Sequence, residues 1–589
     1  MASKLFSQKN RRIRIRIKVL TILCYITALI SITIFMNSPS KPKTINAEQK
    51  EFSAERAMKH VENIAQAPHP TGSEEIKRVR KYIIEELSKL GLNPITQVHN
   101  GYLNVNEFSD NIELHNIIGV LKGTENGKAL MVSAHYDSVP TGPGANDNTS
   151  SVAAILEVIS TIKNGESLKN DVWFVFTDGE ELGLLGAEVF WANKEYREKI
   201  GLVVNLEARG SKGPSMMYQT SNGNGKLIRE FVKATPNPVA NSFMGDIYRT
   251  LPNNTDLTVS LKAGIPGLNF AYIDGWETYH MPFDNLESVN KSSLQHQGEN
   301  ALAMVGSFGN VNLSNLQSPN EVYFNFFGWM IHYPESLVIP LTLLLSVLVT
   351  VLFFSLKKKG LVQFKGISFC FLSFGLCSVI SVLFSFALYK GIYVLWAENM
   401  TSFTGATYDS ILYKLSFIVI TIIINAILSL RFRNKTSQFE MIFTGMFLFL
   451  CALHATTWFL PGASYVFSLP LIIYCILVRF SLTKPDPIKV ISSTLVIMIS
   501  IFLPITLFTT VFQLLFMGLP ALTTIGGVII IAILLAIIDP INRLLTNKPK
   551  TFISVGLIIV MLLISIGGLK ANLNVDRPVY QDRQSVIKK

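Results

Sequence analysis

Residues 129–181, ALMVSAHYDSVPTGPGANDNTSSVAAILEVISTIKNGESLKNDVWFVFTDGEE, pass from an apolar strand through a glycine-rich loop and an apolar helix to a second apolar strand. Short apolar runs bounded by turn residues read as buried strands, and the longer run between them reads as a crossover helix. The pattern recurs outward. LHNIIGVL, GLVVNLEA and IPGLNFAYID read as further strands and GLLGAEVFWANKEYRE as a further helix. Upstream, EFSAERAMKHVENIAQ spaces Phe52, Ala57, Val61 and Ile64 as a helix does, and SEEIKRVRKYIIEELSKLG repeats the pattern up to Gly91. Alternating strand and helix predicts an α/β domain with a mixed, mostly parallel central sheet. Its site is expected at the carboxyl ends of the strands.

Side chains of metal-ligand type stand at those ends. His135 closes one strand in SAHYDS, Asp147 follows in GPGANDN, and Glu181 follows another strand in TDGEELG. Glu207 lies in VVNLEARG and His280 in YHMPFDN. Read singly, Asp147 is also a helix N-cap, and Glu180-Glu181 a solvated pair of loop acids. Read together, two His and three carboxylates exceed what one catalytic zinc takes and suit two ions sharing a carboxylate. Glu180 is left over as a candidate base. Asp137, two residues after His135, faces the same side of the strand and is placed to accept the second ring N–H of that histidine. Glu207 follows a near-continuous apolar strand, where an unpaired carboxylate is costly. His60, His69, His99, His115 and His296 lack a comparable carboxylate setting and read as structural or surface residues.

The chain as a whole is too apolar for a soluble enzyme: 589 residues, 49% hydrophobic, mean hydropathy +0.35. The apolar residues are segregated. A basic tail at 1–18 precedes an apolar run at 19–37, residues 45–320 have the composition of a soluble domain, and 335–569 are dominated by runs of spanning length. The first run is longer than a signal-peptide core and lacks an A-x-A site, so it reads as an uncleaved signal anchor. Eight further spans are expected near 335–356, 367–389, 411–430, 440–459, 463–481, 488–510, 519–538 and 551–569, with a tail at 570–589. With the amino terminus inside, Lys357–Lys359, Arg431/Arg433/Lys435, Arg479/Lys484 and Arg543/Lys548/Lys550 all fall on the cytoplasmic side, as the positive-inside rule requires. That topology puts residues 45–320 outside the cytosol. The net charge of +11 is thereby accounted for, and no basic stripe with interleaved aromatics points to nucleic acid. Cys24, Cys370, Cys377, Cys451 and Cys475 all lie in apolar runs, so the soluble part has neither a disulfide framework nor a cysteine metal site.

The segments PHPTGSEE, SAHYDS, GPGANDN, DGEELGLLGAE, NLEARG and YHMPFDN together resemble the two-zinc aminopeptidase family that includes bacterial leucyl aminopeptidases and glutamate carboxypeptidase-like enzymes. The layout of one span, a peptidase domain and a multi-span region resembles the membrane-anchored group of vacuolar membrane proteases and endoplasmic reticulum metallopeptidases (FXNA-related). The resemblance covers roughly residues 50–310; the membrane region shares layout only. It implies a phosphorylase/hydrolase-like zinc peptidase domain joined to an all-α transmembrane bundle, with peptides or proteins as substrates. It further implies that His135 and Glu207 hold one zinc, Glu181 and His280 the other, with Asp147 bridging and Glu180 as general base and acid. Three positions depart from the common pattern. Glu207 stands where many soluble relatives have Asp, Asn148 stands where relatives often carry a second Asp at a peptide bond often cis, and Met281 replaces a Thr.

Two other classes compete: a catalytically dead receptor or scaffold, and a transporter whose spans carry Asn425, His454 and Gln513. Retention of all five ligands and the base argues against the first, and the lack of a charged relay in the spans against the second. Arg209 and Asp256 are candidates for recognising a substrate's carboxylate or amine, and exopeptidase action at a free amino terminus is the expected activity. The acceptor triplets at Asn253, Asn290, Asn312 and Asn399 leave the cell type open, while Lys/Ile/Asn-rich usage and the cysteine-free domain lean to a bacterial plasma membrane over a vacuole or reticulum.

Overall fold

The computed structural model describes residues 2–105, 108–400, 408–491, 493–515 and 549–573. The chain divides into a helical unit, which takes in α1 (Ala2–Met36) and the described residues from Ser336, and an α/β unit, Asn37–Glu335.

The α/β unit opens with α2 (Ala54–Ile64) and α3 (Glu74–Lys89), followed by β1 (Ile95–Val105), β2 (Phe108–Leu121) and β3 (Ala129–His135). Next come α4 (Ser151–Lys163), β4 (Val172–Thr177), α5 (Leu185–Ala192), α6 (Lys194–Lys199), β5 (Ile200–Ala208) and β6 (Met216–Thr220). Then follow α7 (Gly225–Ala234), α8 (Ser242–Tyr248), α9 (Asp256–Lys262), β7 (Gly267–Tyr272) and α10 (Lys291–Phe308). A hairpin of β8 (Glu321–Phe326) and β9 (Trp329–Pro334) lies past residue 320.

Seven strands form one sheet in the order β1-β2-β4-β3-β5-β7-β6. The middle four, β4, β3, β5 and β7, are parallel, and β2 and β6 flank them antiparallel. Every residue of β3, β4 and β5 is buried, as parallel strands covered on both faces require. Their side chains alternate. Leu130, Val132, Phe174, Phe176, Val204 and Leu206 face a core shared with α2, α4 and α10, while Met131, Trp173, Val175 and Val203 face Phe190, Trp191 and Leu257 on the other side.

Local signals set the helix starts. Ser53 accepts from Arg56 N and Ser73 from Ile76 N, so α2 begins after Phe52 and not at it. The Phe52 ring instead lies on α10, against Gly298, where a Cβ would come within 2.1 Å of it.

In the helical unit, among the described residues, five helices are long and apolar enough to cross a membrane: Glu335–Lys358, Phe364–Leu395, Gln438–Phe459, Tyr465–Leu482 and Ile553–Lys570. Shorter apolar helical segments, Leu20–Met36, Ile411–Asn425 and Thr494–Leu507, fall where three other spans are expected. The expected span at 519–538, the tail beyond 573 and the side chain of Gln513 lie outside the described residues. Asn425 Nδ2 approaches Cys377 Sγ at 3.6 Å and His454 Nε2 is 2.9 Å from Ser346 Oγ, so both engage neighbouring helices.

Candidate metal centre

The carboxyl ends of β3, β4, β5 and β7 deliver the five ligand-type side chains to one place. His135 is the last residue of β3 and Glu207 the last but one of β5; Glu180 and Glu181 follow β4, and His280 lies in the segment after β7. Asp147 comes from the loop between β3 and α4. Three overlapping groups each bring candidate ligand atoms within 4.8 Å of one another: His135–Asp147–Glu207, Asp147–Glu181–His280 and His135–Glu180–Glu181. Asp147 presents its two oxygens to two histidines. Oδ1 is 3.2 Å from His135 Nε2, and Oδ2 is 3.3 Å from His280 Nε2. Glu207 Oε2 lies 3.5 Å from His135 Nε2 and Glu181 Oε1 3.0 Å from His280 Nε2.

The loop carrying Asp147 is held in place by a residue that the sequence reading passed over. Asp284 accepts from Asn146 N (2.8 Å), Asn146 Nδ2 (2.8 Å) and Asp147 N (3.0 Å). Gly144 turns the chain at φ +62°, and a Cβ there would lie 2.5 Å from the Asp147 carbonyl. The Asp147–Asn148 peptide bond is cis. The departure at Asn148 has a physical reason: its Nδ2 donates to Leu206 O (2.9 Å) and Glu207 Oε2 (3.2 Å), where a second carboxylate would repel. His280 adopts φ +57°, and its carbonyl accepts from Thr141 Oγ1 at 2.8 Å. Tyr279 stacks on its ring with centroids 3.7 Å apart. Met281, next in line, is buried.

Glu207 is anchored by a polar row across the sheet. Ser133, Asn205, Asn269 and Gln219 sit opposite one another on β3, β5, β7 and β6. Ser133 Oγ donates to Asn205 Oδ1 (2.7 Å), Asn205 Nδ2 to Glu207 Oε1 (2.9 Å) and Asn269 Oδ1 (3.2 Å), and Asn269 Nδ2 to Gln219 Oε1 (3.1 Å). A carboxylate that burial alone would penalise is thereby satisfied on both oxygens.

Asp137 is close to the cluster but not in the role expected. Its backbone carbonyl, at 3.0 Å, is the acceptor for His135 Nδ1, while its carboxylate is 3.5 Å away. The carboxylate instead accepts the N–H groups of Glu180 and Glu181, each at 3.1 Å. Asp137 therefore shapes the turn that carries both glutamates, a job two oxygens can do and a carboxamide cannot. Asp137→Asn is expected to lower kcat by about 10–100-fold, the range for residues that orient ligands, with Glu180 chemically intact. Unchanged kcat in steady-state assays would remove this role.

The electrostatics call for a cation. Burial pushes Glu180 well above the usual carboxylate range, with His135 relieving part of the cost and Glu181, Glu207 and Asp256 adding repulsion. Burial likewise raises Glu181, and it lifts Asp284 to about 7 with help from Asp147. His280 moves to about 9 against the pull of burial because Glu181 and Asp147 face it. His280 Nε2 makes no hydrogen bond of proper geometry with the carboxylates in front of it, which suits a nitrogen that takes a metal once its proton is displaced. Surplus buried acids around two imidazoles fit a divalent ion of zinc type.

The remaining candidates separate. Asp256, buried at the start of α9, bonds Thr177 Oγ1 and is raised to about 7 by burial and then Glu207. Arg209 lies over the rings of Tyr279 and Trp276. His60 and His69 bond Tyr82 and the Ala67 carbonyl, His115 lies beside Glu113, and His296 bridges Ser215 N and the Asn237 carbonyl, and none belongs to the three ligand groups.

Residues 116–305 match the model of peptidase family M28. A putative endoplasmic reticulum metallopeptidase 1-B of Caenorhabditis elegans is 30% identical over 348 residues, which are 54% of this chain and 38% of that protein. A vacuolar membrane protease of Candida dubliniensis is 28% identical over 302 residues, 50% of this chain and 32% of that protein. The chain thus spans about a third of the length of these relatives. Among solved structures, the aminopeptidase from Aneurinibacillus sp. strain AM-1 aligns over 44% of this chain and 95% of its own, with 15% identity and a TM-score of 0.38. The ligand cluster thus lies in a stretch, residues 116–305, that is similar to peptidase family M28, in a chain that also carries helices long and apolar enough to cross a membrane.

Proposed function

We propose that the α/β unit is a two-zinc peptidase that removes residues from the free amino terminus of peptides. The observation that carries this reading is Asp147, whose two oxygens face His135 and His280 at 3.2 and 3.3 Å. His135, Glu207 and Asp147 Oδ1 would hold one ion, and His280, Glu181 and Asp147 Oδ2 the other. When bound, the ions supply Lewis-acid polarisation of the scissile carbonyl and acidify the attacking water. Glu180 takes the water's proton and returns it to the leaving amine. Asp137 keeps the Glu180 turn in register, and the Asn205 row keeps Glu207 from swinging. By the distribution of Lys and Arg about the spans, this unit faces away from the cytosol, and a bacterial plasma membrane is the favoured setting.

The test is metal content of the purified full chain, with hydrolysis of a panel of aminoacyl amides before and after chelation. Two zinc ions per chain are expected, with cleavage that chelation abolishes and zinc restores. Less than one zinc and no cleavage by a folded chain would favour a receptor or scaffold instead.

A further inference from the structure

Within the α/β unit, Arg56, Arg78, Arg229 and Arg249 each hold an acid: Glu157, Glu75, Glu321 and Asp246. Arg80 donates to Tyr136 Oη and Arg197 to the Trp191 carbonyl. Arg209 differs. Among the described residues, no ion pair or hydrogen bond engages its guanidinium. Its place is nonetheless defined, 5.0 Å from the Tyr279 ring centroid and 5.7 Å from that of Trp276. The backbone beneath it is tied down, since Arg209 N and Gly210 N both donate to Tyr272 O, at 3.2 and 3.1 Å.

A guanidinium held over ring faces, with no acid to pair it, keeps N–H donors that match a carboxylate. Arg209 is half-buried, and it is linked to the ligand cluster twice. Two residues of chain separate it from Glu207, at most about 7 Å, and one ring, Tyr279, separates it from His280. We propose that Arg209 receives a carboxylate of the substrate, which makes short peptides with an acid close to the scissile bond the preferred class. This rests on the peptidase reading above. The carboxylate is either the α-carboxylate of a dipeptide or an acidic side chain just past the scissile bond.

The experiment compares Ala-Ala, Ala-Ala-amide and Ala-Glu-amide as substrates of the zinc-loaded full chain and its R209Q variant. Wild type is expected to favour a carboxylate-bearing peptide over Ala-Ala-amide by about tenfold or more, mostly in KM. Preference for Ala-Ala names the α-carboxylate, and preference for Ala-Glu-amide names the side chain. R209Q is expected to erase the preference, and R209K, which keeps the charge but not the fork, to reduce it about threefold or more. R209K also serves if R209Q does not fold. Equal use of all three peptides by wild type, or a preference that survives in the variants, overturns the proposal. A second readout is equilibrium binding of the same peptides to E180Q and to E180Q/R209Q by titration calorimetry. Carboxylate-selective binding without cleavage by wild type would strike down the peptidase reading and leave Arg209 its role; cleavage without selectivity would do the reverse.

Discussion

Glu180→Gln is expected to lower kcat by about 10²–10⁴-fold, the usual contribution of a positioned general base, with metal content unchanged. Gln has nearly the shape of Glu and keeps the backbone N–H that Asp137 Oδ1 holds at 3.1 Å, so the turn should persist. What it loses is basicity. A buried carboxyl with Glu181, Glu207 and Asp256 nearby is biased towards holding a proton, and bound cations would counter that bias. The check is steady-state hydrolysis of an aminoacyl amide with metal analysis on the same sample. Turnover within about threefold of wild type would assign the proton transfer to another group.

Asp147→Asn should act on the metals themselves. The carboxylate offers one oxygen to each histidine, whereas a carboxamide offers one oxygen in all. The loop should hold, because Asp284 grips the backbone N–H of residue 147 and not its side chain. We expect metal content to fall from two ions to one or fewer, and activity to fall by more than the roughly 100-fold that losing a supporting partner costs. Each tenfold loss of affinity removes about 1.4 kcal/mol of ligand-linked stability, so chelation should depress the thermal midpoint of wild type more than that of the variant. Retention of two tightly held ions would show that Asp147 does not bridge.

The sheet centre and the ligand types were legible because their signals are local. β3, β4 and β5 are near-continuous apolar runs, and His135, Glu181 and Glu207 stand at or just past their ends. The supporting residues were not. Asp284 is one acid among several in its segment, and only the fold brings it beneath residues 145–147. Asn205, Asn269 and Gln219 look like polar interruptions of strands until the register sets them side by side. Asp137 was placed correctly beside His135, but its preference for two backbone N–H groups over an imidazole depends on a turn 43 residues away. Strand β6 and the β8–β9 hairpin lack the near-continuous apolar run that marks β3, β4 and β5.

The grip of Asp284 on residue 147 joins points 137 residues apart in the chain. A nascent chain that stops short of His280 has His135, Asp147, Glu181 and Glu207 but neither the second histidine nor the clamp. The complete cluster is therefore a late product of folding, and a metal centre that arises with the folded state is filled when folding finishes. Loading then draws on the ion supply of the compartment in which the α/β unit completes its fold, so zinc scarcity there would limit the protein independently of how much of it is made.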